Sequence, residues 1–376
     1  MFLDREIHAP LHDRLVEGAK VVLLFGARQV GKTTLAQRLI QELPYRCLEL
    51  SGDDAVVSER LASRDGERLD GLVAGYDLVF LDEAQRVPDM GLALKLLHDR
   101  HPKLRLLVTG SSALDLASRT REALTGRTWS FQLQPFSYKE CLGIRNPFEQ
   151  DRRLEGDLVY GMYPEVQALA SDSEREAYLR ELHSACLFKD LLELGGLRQP
   201  RKLVDLLRLL AYQVGSEVSC NELGTALGMS KDTVIRYIDL LEKAFILFRL
   251  QGFSRNLRNE VTRNDKIYFF DVGIRNAALS DFRPFSMRQD QGALWENFLV
   301  AERRKRLAPG VESRFWRLHT GAEVDYLEVA TGGLHGFEFK WSAQAKAKAP
   351  GRWLETYPEA TWQRIDRASY MPFIAS

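Results

Sequence analysis

At 376 residues the chain is too long for one ordinary hydrophobic core and predicts about two to three domains of roughly 100 to 200 residues each. Its 52 Lys plus Arg balance 52 Asp plus Glu, which excludes a global field drawing it toward nucleic acid or an anionic membrane; any such contact has to be a local patch. Four widely spaced cysteines, Cys47, Cys141, Cys186 and Cys220, without zinc-ligand spacing, argue for reduced thiols, and a charged N-terminus with no apolar run of about 18 residues predicts a cytoplasmic protein with no membrane partner.

A helix is expected to end near Gly18, after which KVVLLF (residues 20–25) is a continuous apolar run of the kind a strand buried on both faces shows. It leads into GARQVGKTT, where Gly26 and Gly31 bracket four residues before Lys32 and Thr33, the full phosphate-loop spacing on a strand-to-helix turn. Gly26, Ala27, Arg28, Gln29, Val30, Gly31, Lys32, Thr33 and Thr34 form the expected cradle for ATP. Their backbone N–H groups turn inward around the β-phosphate and the helix N-terminus adds partial positive charge. Lys32 is positioned to reach the β and γ oxygens, and Thr33 to offer its hydroxyl to Mg2+.

A second apolar strand, DLVFLDEAQ (residues 77–85), ends in Asp82 and Glu83. A phosphate-loop enzyme needs one carboxylate there for magnesium and a neighbour to orient the attacking water, so Asp82 is assigned to the metal and Glu83 to the water. The third strand, LRLLVTGSS (residues 104–112), carries Thr109, Ser111 and Ser112 at its C-terminal end, the edge at which open parallel sheets bind ligands. Sensing of the γ-phosphate and ordinary helix capping are both open for these hydroxyls.

Together these segments resemble the AAA+ superfamily, with Walker A at residues 26–33, Walker B at 78–83 and a sensor-1-like strand end at 109–112. More closely, GARQVGKTTL, FLDEAQ, VTGSSALDL, GRTWSFQLQPFSYKE and GMYPEV follow the order seen in bacterial and archaeal AAA+ proteins with a C-terminal domain of unknown function. Members of that family have Pro where Ala27 stands and a second Gly where Met162 stands; neither change touches a phosphate-contacting side chain. The resemblance implies a homo-oligomer in which a neighbouring subunit supplies an arginine to the γ-phosphate. It points to Arg127 in TGRTW, with Arg119 as runner-up and Arg121 between them; a surface role is the alternative for each.

From residue 137 to about 200 the pattern turns helical, the place of a lid over the nucleotide in AAA+ proteins. Residues 201–255 then read as a helix, a short helix capped by Ser219 and running through Leu227, a turn at Gly228, Met229 and Ser230, a helix from Lys231 to about Phe245, and a strand. That is a winged helix-turn-helix. Lys231, Thr233, Arg236 and Tyr237 are candidates for a major groove and Arg255, Arg258 and Arg263 for a basic wing. Asp232, Asp239 and Glu242 on the same helix dilute its charge, which leaves a protein-binding role open beside DNA.

KIYFFDVGIR reads as a strand with a turn, and GALWENFLVAERRKRL as a helix carrying Glu296. A three-strand meander follows, whose last two strands form a hairpin that sets Asp325 beside Glu338, with Lys340 on the same face as Glu338. A helix glutamate, an Asp on one strand and ExK on the next resemble the PD-(D/E)xK nuclease core. The resemblance assigns Glu296, Asp325 and Glu338 to Mg2+ or Mn2+, a backbone carbonyl of Phe339 to the same ion, Lys340 to the attacking water, and the ERRKR run (residues 302–306) to phosphates. The bland reading is a same-face ion pair between Glu338 and Lys340.

The expected architecture is therefore α/β throughout: an AAA+ ATPase core at 1–136, a helical lid at 137–200, a winged helix at 201–255 and a restriction-endonuclease-like domain at 256–376. The expected function is ATP binding and hydrolysis coupled to DNA, in preference to RNA, through the winged helix and the nuclease-like domain. The alternative is a regulatory switch or protein-remodelling ATPase in which that domain is catalytically silent.

Overall fold

The computed structural model describes residues 3–110, 124–185, 199–254, 264–318 and 321–375. The chain forms two compact units, one of Met1–Phe136 with Lys243–Phe245 and one holding most of the remainder from Ser137 to Ser376. The segments expected at 137–200, 201–255 and 256–376 thus share the second unit.

In the first unit the strands β1 (Val21–Phe25), β2 (Cys47–Ser51), β3 (Leu78–Asp82), β4 (Arg105–Gly110) and β5 (Thr128–Gln132) form a parallel sheet in the order β2-β3-β4-β1-β5. β1 is buried along its whole length and β3 along all but Asp82, as near-continuous apolar strands covered on both faces must be. Val21, Leu23, Phe25, Leu81, Leu94 and Val108 belong to one core. Registry places Leu24 beside Thr109 and Leu81 beside Val108, so the ends of β1, β4 and β3 open side by side at one sheet edge.

The second unit begins with helices, and helices also fill the segment 200–243. Pro200–Tyr212 is followed by Cys220–Leu227, where Ser219 caps the N-terminus by accepting from the Glu222 N–H. Gly228 ends that helix in the left-handed conformation (φ +60°) before Lys231–Lys243. β6 (Leu247–Gly252) and β7 (Lys266–Phe269) then pair antiparallel, and Glu217 forms a bridge to Lys266.

The helix Gln291–Arg304 leads to β8 (Glu312–Arg317), β9 (Glu323–Ala330) and β10 (Gly333–Phe339), an antiparallel meander; the helix Gly351–Thr356 then carries the chain to β11 (Thr361–Ile365), parallel to β10. β6 also pairs in parallel with β8, which makes one six-stranded sheet, β11-β10-β9-β8-β6-β7.

Several local expectations are corrected. DVGIR is not a turn but the start of the helix Val272–Leu279, because Asp271 caps it through the Gly273 and Ile274 N–H groups. Tyr237 is buried and cannot face a groove, and the exposed basic residues of its helix are Lys231, Arg236 and, at its end, Lys243. Asp239 and Glu242 do not simply dilute that charge, since Arg249 on β6 pairs with both. The ERRKR run is spent inside the fold. Glu302 accepts the Tyr138 N–H at 2.7 Å and pairs with Lys305, Arg303 forks onto Glu328, and Arg304 lies over the Phe248 ring.

The GMYPEV segment has a structural reason. Asp271 Oδ2 accepts the Met162 N–H at 2.7 Å, and a Cβ on Gly161 (φ +76°) would lie 2.0 Å from Asp271 Oδ1. Gly161→Ala is therefore expected to cost about 3 kcal/mol through backbone strain and overpacking, read as a lowered urea midpoint with an unchanged slope.

Candidate functional site

The phosphate loop runs from the exit of β1 into the helix Lys32–Glu42. A Cβ on Gly26 would meet the Leu133 carbonyl at 2.1 Å, so only glycine lets the loop begin there. Gly31 sits at φ +93° as the helix begins. Lys32 is buried, and its ammonium donates to the Gly26 and Ala27 carbonyls at 3.0 and 2.7 Å. The charge is thereby held inside the cradle it would serve.

Thr33 Oγ1 donates to Asp82 Oδ2 at 2.7 Å, Thr109 Oγ1 donates to Asp82 Oδ1, and the Glu83 N–H donates to the same oxygen at 3.0 Å. Two other segments thus converge on the carboxylate that ends β3. The oxygen-only donor set of Thr33 and Asp82 fits magnesium, a hard cation that keeps several waters and takes one or two protein ligands. Glu83 stands in the left-handed conformation (φ +50°), rare for a residue with a side chain, and its carboxylate accepts from Gln85 Nε2. Two residues not anticipated complete the arrangement. Gln85 holds Glu83, and Gly52 donates its N–H to the Asp82 carbonyl at 2.8 Å where a Cβ would strike the Glu83 carbonyl. Thr109 is the hydroxyl at the exit of β4 that reaches Asp82; its neighbours Ser111 and Ser112 lie outside the described residues, as do Arg119 and Arg121.

Arg127 lies at the opposite end of β1 from its own chain's phosphate loop. Its carbonyl accepts the Val21 N–H at the entrance of β1, whereas the phosphate loop leaves at the exit, five strand residues away, roughly 17 Å at about 3.3 Å per residue. Its Nε donates instead to Asp99 Oδ1 at 3.0 Å.

In the second unit the β9/β10 pairing reaches Tyr326↔Phe337, which sets Asp325 opposite Glu338, and Asp325 Oδ2 accepts the Phe339 N–H at 2.9 Å. Lys340 Nζ lies 2.6 Å from Glu338 Oε1. Glu296 joins them on the sheet face, accepting from Tyr268 OH at 2.5 Å.

The unexpected member is Lys266 on β7. Almost fully buried, it pairs with Glu323 and lies 3.5 Å from Glu296. Burial alone would lower its pKa, but Glu296, Glu323 and Asp325 together raise it. Burial pushes the Glu296 carboxyl up to about 7, opposed by Lys266 and reinforced by Asp325, and burial likewise raises Asp325 and Glu338. Among the described residues no three His, Cys, Asp or Glu side chains are arranged to hold a metal ion. Glu296, Asp325 and Glu338 lie with Lys266 and Lys340 as the cations that compensate them. The basic-wing candidates Arg255, Arg258 and Arg263 lie outside the described residues.

Comparison with known proteins places these sites in context. Residues 18–142, the span of the parallel sheet and phosphate loop, match an AAA domain; residues 151–284 match a domain of unknown function, DUF8612, and residues 291–364 another, DUF4143. The uncharacterized protein Rv2008c of Mycobacterium tuberculosis is 30% identical over 347 residues, covering 90% of this chain and 74% of that protein. The uncharacterized protein MJ1544 of Methanocaldococcus jannaschii is 23% identical over 332 residues, covering 82% and 72%. Among solved structures, a Walker-type ATPase of Pyrococcus abyssi is similar at 15% identity and TM-score 0.46, over 74% of this chain and 96% of that one. The RuvB Holliday junction branch migration motor of Thermotoga maritima is similar at 20% identity and TM-score 0.34, over 66% and 90%. No helix among the described residues is long and apolar enough to cross a membrane.

Proposed function

We propose that this chain, which belongs to the family of Mycobacterium tuberculosis Rv2008c and carries an AAA-type P-loop ATPase domain, hydrolyses ATP with magnesium and couples hydrolysis to the binding and processing of DNA. The observation that carries the reading is the convergence of Thr33 and Thr109 on Asp82, next to Lys32 held in the loop. With nucleotide bound, Lys32 would exchange loop carbonyls for phosphate oxygens, Thr33 and Asp82 would hold Mg2+, and Glu83 would orient the attacking water. The metal supplies neutralisation of charge developing on the phosphates. Arg127 serves a neighbouring copy in a homo-oligomer.

DNA enters this reading through the second unit. The helix-turn-helix with its strand pair, the exposed Lys231 and Arg236, and the helix, meander, helix and parallel strand that carry Glu296, Asp325, Glu338 and Lys340 all support nucleic acid, with DNA ahead of RNA, as the coupled partner. Lys266 favours a second reading of the nuclease-like core: an ammonium where a cation is needed makes it a binding module, and the ATPase a switch acting on DNA or on a protein bound at the winged helix. Fold and chemistry are separable in such domains.

One experiment divides the two. ATP turnover is measured with and without single-stranded, duplex and branched DNA, and the same DNAs are assayed for cleavage with Mg2+ or Mn2+ beside Asp325→Ala. The proposal expects DNA-stimulated turnover. Cutting lost in Asp325→Ala would add a working nuclease to it, stimulation without cutting would leave the core as a binding module, and turnover indifferent to every DNA would sink the DNA coupling.

A further inference from the structure

The helix Pro147–Tyr160 brings Arg152, Arg153 and Gly156 to one face by their spacing, and with Gln167 and Arg175 they line a cavity of about 220 Å³. Three guanidinium groups around one small space repel one another unless an anion lies between them. The acid at this cavity, Asp157, offsets Arg153 by charge but makes no hydrogen bond to the three guanidinium groups. Asp157 is buried and accepts from Gln150 and Gln167 at 2.8 and 2.9 Å, and those two amides turn their oxygens to Arg145.

Arg175 is fixed by Asp172 and the Leu169 carbonyl, with its Nε buried and without an acceptor. Arg153 Nε is buried in the same condition, and among the described residues no ion pair reaches Arg153. Burial, Arg145 and Arg175 weigh against charge on Arg153, and Asp157 only partly offsets them. A buried, charged donor without an acceptor is uncommon and costly. Here two of them border one cavity.

We propose that this cavity binds a phosphate group, held between the guanidinium groups of Arg153 and Arg175. Two forks approaching from different elements suit a tetrahedral oxyanion with at least three acceptor oxygens better than a planar carboxylate with two. A space this small admits a phosphate with its sugar and excludes a duplex. The phosphate is that of a mononucleotide or of the 5′ end of a DNA strand. The site lies wholly in the second unit and does not depend on the ATPase reading.

The test uses the full chain with Lys32→Ala, which removes the phosphate loop as a competing site, and titrates inorganic phosphate, AMP and single strands with and without a 5′-phosphate by calorimetry. The expected result is phosphate and AMP binding that weakens at least tenfold when Arg153→Met is added. A 5′-phosphorylated strand binding more tightly than both AMP and its 5′-hydroxyl counterpart would identify the DNA end as the source; AMP binding as tightly as the phosphorylated strand would identify the mononucleotide. Gly156→Glu guards against an Arg153 variant that fails to fold. A Cβ at Gly156 meets nothing within 4 Å, so the glutamate tethers a carboxylate in the cavity. It should abolish phosphate binding and raise the melting temperature above that of Gly156→Gln, whose side chain is equally long but uncharged. Phosphate and AMP binding undiminished by Arg153→Met, or absent from the Lys32→Ala chain, would overturn the proposal.

Discussion

Lys32→Ala is expected to reduce ATP affinity by roughly 10²- to 10⁴-fold while leaving the chain folded, since hydrogen bonds from a charged donor to two phosphates are worth together about 3–6 kcal/mol. The folded state loses the ammonium's contacts to the loop carbonyls of Gly26 and Ala27, which the substitution leaves as acceptors beside the cradle. Fluorescent-nucleotide titration beside a urea unfolding curve checks both halves. Glu83→Gln is the complementary variant. It should bind ATP as the parent does and lose about 10²- to 10⁴-fold in turnover, the usual contribution of a positioned general base. Unchanged affinity in Lys32→Ala would remove the phosphate cradle from the account, whereas unchanged turnover in Glu83→Gln would move water activation elsewhere.

Lys266→Met is expected to destabilise the protein by about 3–5 kcal/mol, the range for breaking a buried ion pair from one side. The ammonium compensates Glu323 and Glu296 at once, with Asp325 close enough to contribute. Because its folded pKa is raised, Lys266 is fully charged at neutral pH and below; its stabilisation would be lost only in alkali, as pH rises through that raised value. In the variant the acids can escape only by taking up protons that the unfolded chain does not hold. The loss should therefore be larger at pH 8 than at pH 5. Urea midpoints at the two pH values measure it, and adding Glu323→Gln should recover part of the loss, as coupled neighbours do. A Lys266→Met protein as stable as its parent would mean that these carboxylates are solvated and that Lys266 is not their counter-charge.

Legibility in the sequence followed contiguity. The phosphate loop is a run of neighbours whose spacing alone states its purpose. The short helix Cys220–Leu227 announced itself by local devices, the Ser219 cap and the left-handed Gly228. The β9/β10 hairpin could be placed because side chains alternate along strands, and this set Asp325 against Glu338. Asp271 misled because a helix cap and a turn share the same residue type, and only the backbone beyond it distinguishes them. Tyr237 misled because a tyrosine suits an exposed helix face and a core equally, and burial placed it in the core.

By itself, then, the sequence determined the nucleotide cradle, the acid that ends β3 and the order of elements around the C-terminal carboxylates, all of them properties of short segments with fixed backbone geometry. Tertiary structure alone decided three things. Thr109 reaches Asp82 because β4 lies between β1 and β3. Arg127 stands at the wrong end of its strand for its own chain's phosphates. Lys266, the plain first residue of a strand, supplies the charge that holds Glu296 and Glu323. Each turns on which distant segments become neighbours, and electrostatics in a buried site is settled by neighbours that no local pattern names.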